Sequence, residues 1–144
     1  MVDLRSDTVT QPTAAMKKAM VEAPLGDDVL GDDPTVQKLE QLAAELSGKQ
    51  SAIFTPSGTM ANQIAIALHT RPGDEVLMEQ GAHPINYEAG AAAVIAGAQI
   101  RPLPGALGIL NTNDVRSAIR PENDHFAPAT LLCIEDTSNR GGGT

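Results

Sequence analysis

The chain has 144 residues, enough for about one domain with a real core, and its 18 acidic against 10 basic residues leave a net charge of −8. That sign argues against a nucleic-acid partner, whose phosphates call for a basic surface. No apolar run is long enough to span a membrane, no signal-peptide core precedes the first helix, and the lone Cys133 cannot form an internal disulfide, so a soluble cytoplasmic protein is expected.

Residues 1–10 read as extended. A first helix is predicted over Pro12 to Glu22, with Met16, Ala19 and Met20 inward, ended by Pro24 and Gly26. The acids Asp27, Asp28, Asp32 and Asp33 fall in the following loop. They read as solvated, because the ring of ligands that a hard cation needs is not evident. The next helix is the best delimited. Asp33 caps it, Pro34 fits its first turn, Val36, Leu39, Leu42, Ala43 and Leu46 form an apolar stripe, and Gly48 closes it.

A β-type run, Ser51 to Thr55, then leads through Ser57-Gly58-Thr59 into a helix whose Met60, Ala61, Ile64, Ala65 and Leu68 recur at helical spacing. This junction is the most informative feature of the chain. The first amides of a helix lack intrahelical partners and carry the positive end of its dipole, so they suit an anion. Gly58 permits close backbone approach, and Ser57 and Thr59 add hydroxyl donors. A plain N-cap is the competing reading of the same residues.

Arg71-Pro72-Gly73-Asp74 is a turn by composition, and Glu75 to Met78 reads as a buried strand. Helical character is expected from Ile85 to Ala96, a strand over Gln99–Leu103, a short helix after Asn113, and a fully apolar strand over Thr130–Ile134. Strands alternating with helices predict an α/β fold with a mostly parallel sheet covered on both faces. The closing Asn139-Arg140-Gly141-Gly142-Gly143-Thr144 reads as a loop cut in its middle.

Several segments, in unbroken order, resemble the low-specificity L-threonine aldolases. They are residues 3–10 (Asp-Leu-Arg-Ser-Asp-Thr-Val-Thr), Gly26-Asp27-Asp28-Val29, residues 31–36, and Pro56 through Gln63. His83, Tyr87-Glu88-Ala89-Gly90, Asp124-His125-Phe126 and Asn139-Arg140-Gly141-Gly142 complete the series. The resemblance implies a pyridoxal 5'-phosphate enzyme of the aspartate-aminotransferase-like fold (fold type I). It would cleave β-hydroxy-α-amino acids to glycine and an aldehyde, as a homo-oligomer, a tetramer. The expected reach is the N-terminal part of the large, cofactor-binding domain over residues 1–144, with the rest of that domain and the small domain absent.

Role by role, the resemblance makes Ser57, Gly58 and Thr59 the phosphate cradle and His83 the imidazole stacked on the pyridine ring. Ser6 falls near the substrate carboxylate, and His125 becomes a candidate base at the substrate hydroxyl. Read by themselves, these residues are a loop histidine, a turn hydroxyl and an exposed loop histidine. Glu88 falls beside Tyr87 near the same region, and Arg140 matches a loop near the site. Leu30, Pro84, Asp136 and Ser138 depart from the family pattern. The chemistry also needs a lysine to anchor the cofactor, and Lys17, Lys18, Lys38 and Lys49 lie on or beside the early helices. The fragment by itself is therefore expected to be inactive. The alternatives are a non-catalytic phosphate-binding or oligomerisation module, and another β-eliminating lyase using the same cofactor. A nucleotide-binding domain lacks its glycine motifs here, and zinc hydrolysis lacks its ligand pattern.

Overall fold

The computed structural model describes residues 2–3 and 6–144, with the backbone only at Asp7. Leu4 and Arg5 of the opening motif lie outside the described residues. The chain divides into two compact units, Met1–Phe54 and Thr55–Thr144.

In the first unit, a 3-10 turn at Asp7–Val9 precedes helices α1 (Ala14–Glu22) and α2 (Pro34–Ser47). Local chemistry explains both helix starts. The Thr13 hydroxyl accepts from the Met16 amide, and the Asp33 carboxylate accepts from Thr35 and Val36 with Pro34 in the first turn. Gly48, at φ 66°, closes α2. The expected inward faces do not bury within this unit. Met16 and Met20 are 54% and 60% exposed, α1 buries no residue, and of α2 only Ala44 is buried while Leu46 is 81% exposed. Periodicity reports that a stripe is apolar, but burying it takes a partner surface.

Three of the four acids in the acidic loop, Asp27, Asp32 and Asp33, accept backbone amides within it. Asp27 accepts from the Val29 and Leu30 amides, and Asp33 accepts from Gly26. Among the described residues, no group of three or more His, Cys, Asp or Glu side chains is placed to hold a metal. Ser51 to Thr55 forms no strand. Among the described residues no strand pairs with it, and the Phe54 amide bonds instead to the Glu40 carboxylate, 2.7 Å away.

The second unit runs α3 (Gly58–His69), β1 (Glu75–Glu79), α4 (His83–Asn86), a π-helical turn at Ala92–Ala96, β2 (Gln99–Leu103), a hairpin of β3 (Gly105–Ala106) and β4 (Ile109–Leu110), α5 (Thr112–Ala118) and β5 (Ala129–Leu132). β2, β1 and β5 form one parallel sheet in that order, with β1 central and Glu75 opposite both Gln99 and Ala129. Every residue of β1 is buried: Val76, Leu77 and Met78 as expected for a strand covered on both faces, and Glu75 with Gln99, Arg101 and Arg120 as its partners.

The alternation of side chains along β1 makes two cores. Val76 and Met78 face Ile66 of α3 and the alanines at 92, 96 and 98, whereas Leu77 joins Leu103 and Ala118 of α5. The parallel sheet with helices on both faces is thus the observed fold. The helix predicted over Ile85–Ala96 is broken at Ala89 and Gly90, whose φ values are 52° and 71°. The inward face of α3 is also not the predicted one. Gln63 and Ile66 are buried, while Met60 and Leu68 are 46% and 76% exposed.

Candidate functional site

Ser57 precedes α3 in extended conformation, and its Oγ accepts from the Met60 amide at 3.1 Å while its carbonyl accepts from Ala61. The cap thereby satisfies one orphan amide, that of Met60, while the Ala61 amide makes the first regular bond of the helix. The Gly58 and Thr59 amides have no acceptor among the described residues. A Cβ built on Gly58 meets nothing within 4 Å, so the approach to these amides is open. The structure shows the cap, and the cap leaves the Gly58 and Thr59 amides available. Ser57 caps with a lone pair and keeps its hydroxyl proton for an outside acceptor.

One turn further along α3, Asn62 and Gln63 reach a single buried carboxylate. Glu88 is 3% exposed and accepts from Asn62 Nδ2 at 2.7 Å, Gln63 Nε2 at 2.5 Å and His83 Nδ1 at 2.8 Å. Burial pushes this carboxyl up, but the hydrogen bonds from Asn62, Gln63 and His83, with the charge of His83, outweigh it and hold Glu88 below its ordinary value. Gln63 Oε1 is buried without a partner among the described residues.

His83 opens α4 at the carboxyl edge of the sheet, where its backbone amide donates to Glu135 Oε1 at 2.9 Å. Its ring is exposed and lies 5.3 Å from that of Tyr87 at 45°. Gly81, His83, Tyr87, Glu135, Asn139 and Arg140 line a cleft of about 220 Å³ there. An apolar groove of about 240 Å³ adjoins it between α3 and β5, lined in part by Ile66, Ala82, Leu131 and Cys133.

The Ser57-Gly58-Thr59 junction and His83 are thus joined through α3 and Glu88. His125 is elsewhere. It lies in the loop entering β5, with its amide on Asn123 Oδ1, at the amino edge of the sheet. The length of β1, about 16 Å at the usual rise, separates that edge from His83. The structure of one chain does not bring the two histidines together. Ser6 belongs to the first unit, where its Oγ accepts from the Thr8 amide and hydroxyl. His69 ends α3, Arg140 is exposed beside the cleft, and Lys17, Lys18, Lys38 and Lys49 are all exposed in the first unit.

Sequence reasoning missed Asn62 and Gln63. A signal was available, since two adjacent carboxamides interrupt an otherwise apolar helix. Their target, Glu88, is 25 and 26 residues away, beyond any local pattern.

The family described as beta-eliminating lyase matches residues 3–144. The chain belongs to this family. It is 51% identical over 140 residues to the low specificity L-threonine aldolase of Escherichia coli K12, covering 96% of this chain and 42% of that enzyme. It is 42% identical over 146 residues to low-specificity L-threonine aldolase 1 of Arabidopsis thaliana, again reaching 41% of its length. Solved structures also resemble the chain. A threonine aldolase of Leishmania major superposes with a TM-score of 0.71 at 26% identity, over 87% of this chain and 36% of that one. The chain therefore spans about two-fifths of the length of these relatives, and within the beta-eliminating lyases it resembles the threonine aldolases.

Proposed function

We propose that this chain is the leading part of a pyridoxal 5'-phosphate-dependent L-threonine aldolase, acting on L-threonine and L-allo-threonine to give glycine and acetaldehyde. The observation that carries the reading is the junction at Ser57-Gly58-Thr59, open and donor-rich, tied through α3 and Glu88 to an exposed imidazole. The residues fit the phosphate and the ring. Two unpaired amides, the Ser57 and Thr59 hydroxyls and the helix dipole would hold the phosphate dianion. His83, anchored on one edge, leaves a flat face for an aromatic ring and Nε2 for a proton. When bound, the cofactor supplies the electron sink that lets a Cα–Cβ bond break.

Residues 55–144 contain no lysine and the four of the first unit are exposed, so this reading takes the anchoring lysine from further chain. For His125 to take the substrate hydroxyl proton it must come from a neighbouring copy, because its own loop lies at the opposite edge of the sheet. Ser6 would meet the substrate carboxylate, a role that rests on the family resemblance.

The test is threonine cleavage by the product of the complete reading frame, followed as acetaldehyde and glycine, against the 144-residue chain with added pyridoxal phosphate. Activity in the first and none in the second is expected. No cleavage by the complete product loaded with cofactor overturns the proposal. Mixing inactive His83→Ala and His125→Ala copies should restore activity if His125 acts across copies, and no restoration rejects that part.

A further inference from the structure

The His83–Glu88 contact carries more than anchorage. A buried, ionised carboxylate is an acceptor only, with two oxygens and no proton to give. Here Oε1 takes Asn62 and His83, and Oε2 takes Gln63. Nothing in that arrangement can donate to a bare imidazole nitrogen. His83 Nδ1 must therefore carry the proton, and in the neutral ring Nε2 must carry the lone pair. Water-exposed histidine has no such constraint, since either nitrogen finds a partner in solvent.

We infer that Glu88 is a positioning residue for His83, locking the Nδ1–H tautomer and the ring plane, with Asn62 and Gln63 of α3 holding the carboxylate in place. The carboxylate is fully enclosed while the imidazole stays exposed, with side-chain exposures of 0% and 48%. The rigid partner is thus the buried one, and the ring it fixes faces outward. The consequence is directional. Nε2, which has no partner among the described residues, becomes the proton-accepting nitrogen presented to whatever occupies the cleft. The same pair fixes the distance from the cradle to the ring, because Asn62 and Gln63 lie within about 6 Å along the axis of α3 from Thr59. This refines the proposed aldolase site and rests on His83 belonging to it.

Imidazole 15N shifts read the tautomer directly, without cofactor or turnover. The chain is labelled and long-range 1H–15N spectra are recorded at about pH 9, above the ordinary histidine range, with His83→Gln used for assignment. In the unmodified chain His83 should show a protonated Nδ1 and an unprotonated Nε2, with a downfield, slowly exchanging Nδ1 proton. The reverse pattern, or a fast average of both tautomers, overturns the inference. In Glu88→Ala the preference should be lost. In Glu88→Gln it should survive, because the amide oxygen still accepts while Gln63 turns its unpartnered Oε1 toward the new NH2. A persistent Nδ1–H tautomer in Glu88→Ala also overturns it. If that variant does not fold, the spectra of the unmodified chain and of Glu88→Gln decide. A failed tautomer prediction leaves the aldolase reading standing, and absent threonine cleavage leaves the tautomer measurement unaffected.

Discussion

Ile66 and Leu68 sit two residues apart on α3, and the structure assigns them opposite weights. Ile66 is 2% exposed and packs in the cluster with Val76, Met78 and Ala92, whereas Leu68 is 76% exposed. Ile66→Ala removes three buried carbons, about 2.4 kcal/mol of transfer free energy at ~0.8 kcal/mol each. The cavity left beside β1, a strand held on both sides, raises the expected loss to about 3–4 kcal/mol. The higher helix propensity of alanine returns only a few tenths of a kcal/mol. Leu68→Ala forfeits about a quarter of a similar transfer term, roughly 0.6 kcal/mol, and the propensity gain offsets much of it. Urea unfolding followed by far-UV circular dichroism, with equal m values, measures both. The Ile66 variant should lose most of a small domain's margin, and the Leu68 variant should stay within about 0.5 kcal/mol of the parent. Losses that differ by less than about 1 kcal/mol would refute the assignment of the buried face of α3.

Gly105→Ala should destabilise by about 1–3 kcal/mol in the same assay, because the added Cβ would lie 2.3 Å from Glu79 Cγ and 2.9 Å from the Ile109 carbonyl. Glu88 supplies a pH signature. Its carboxyl is held below the ordinary value of 4.5 in the folded chain, so the folded form binds fewer protons, and the stability it contributes is present above about pH 4.5 and lost as pH falls through the folded value. Unfolding free energies between pH 7 and pH 3 should thus decline less steeply in Glu88→Gln, and an unchanged slope would contradict the lowered value. Burial pushes the Cys133 thiol up, so alkylation by iodoacetamide at pH 7.5 should run slower than for a cysteine in a short peptide and match it only in urea.

The elements whose signals are local were legible in the sequence. Asp33, Pro34 and Gly48 bracket α2 because caps and turns act within one helical turn, and β1 is legible because its middle residues, Val76, Leu77 and Met78, are apolar on both faces. The Ser57-Gly58-Thr59 junction belongs to the same class, since orphan amides follow from the helix start itself. Where local signals conflicted, the reading failed. The helix expected over Ile85–Ala96 gives way at Ala89 and Gly90, and Leu107 with Gly108 turns a hairpin with φ of 54° and 83° that no Asn-Gly pair announced.

By itself the sequence determined helices α2 and α3 with their caps, strands β1, β2 and β5, and the family, because each depends on residues near one another in the chain or on motifs in fixed order. Tertiary structure alone decided which stripe of each helix is buried and which histidines share an edge of the sheet. Ile66 is covered and Leu68 is not because the sheet and the alanine-rich π turn lie on one side of α3. Glu88 became a partner of Asn62 and Gln63, and His83 stands apart from His125, because a parallel strand carries the chain from one edge of the sheet to the other. Periodicity gives a side chain its direction. Only the surface packed against it gives it a neighbour.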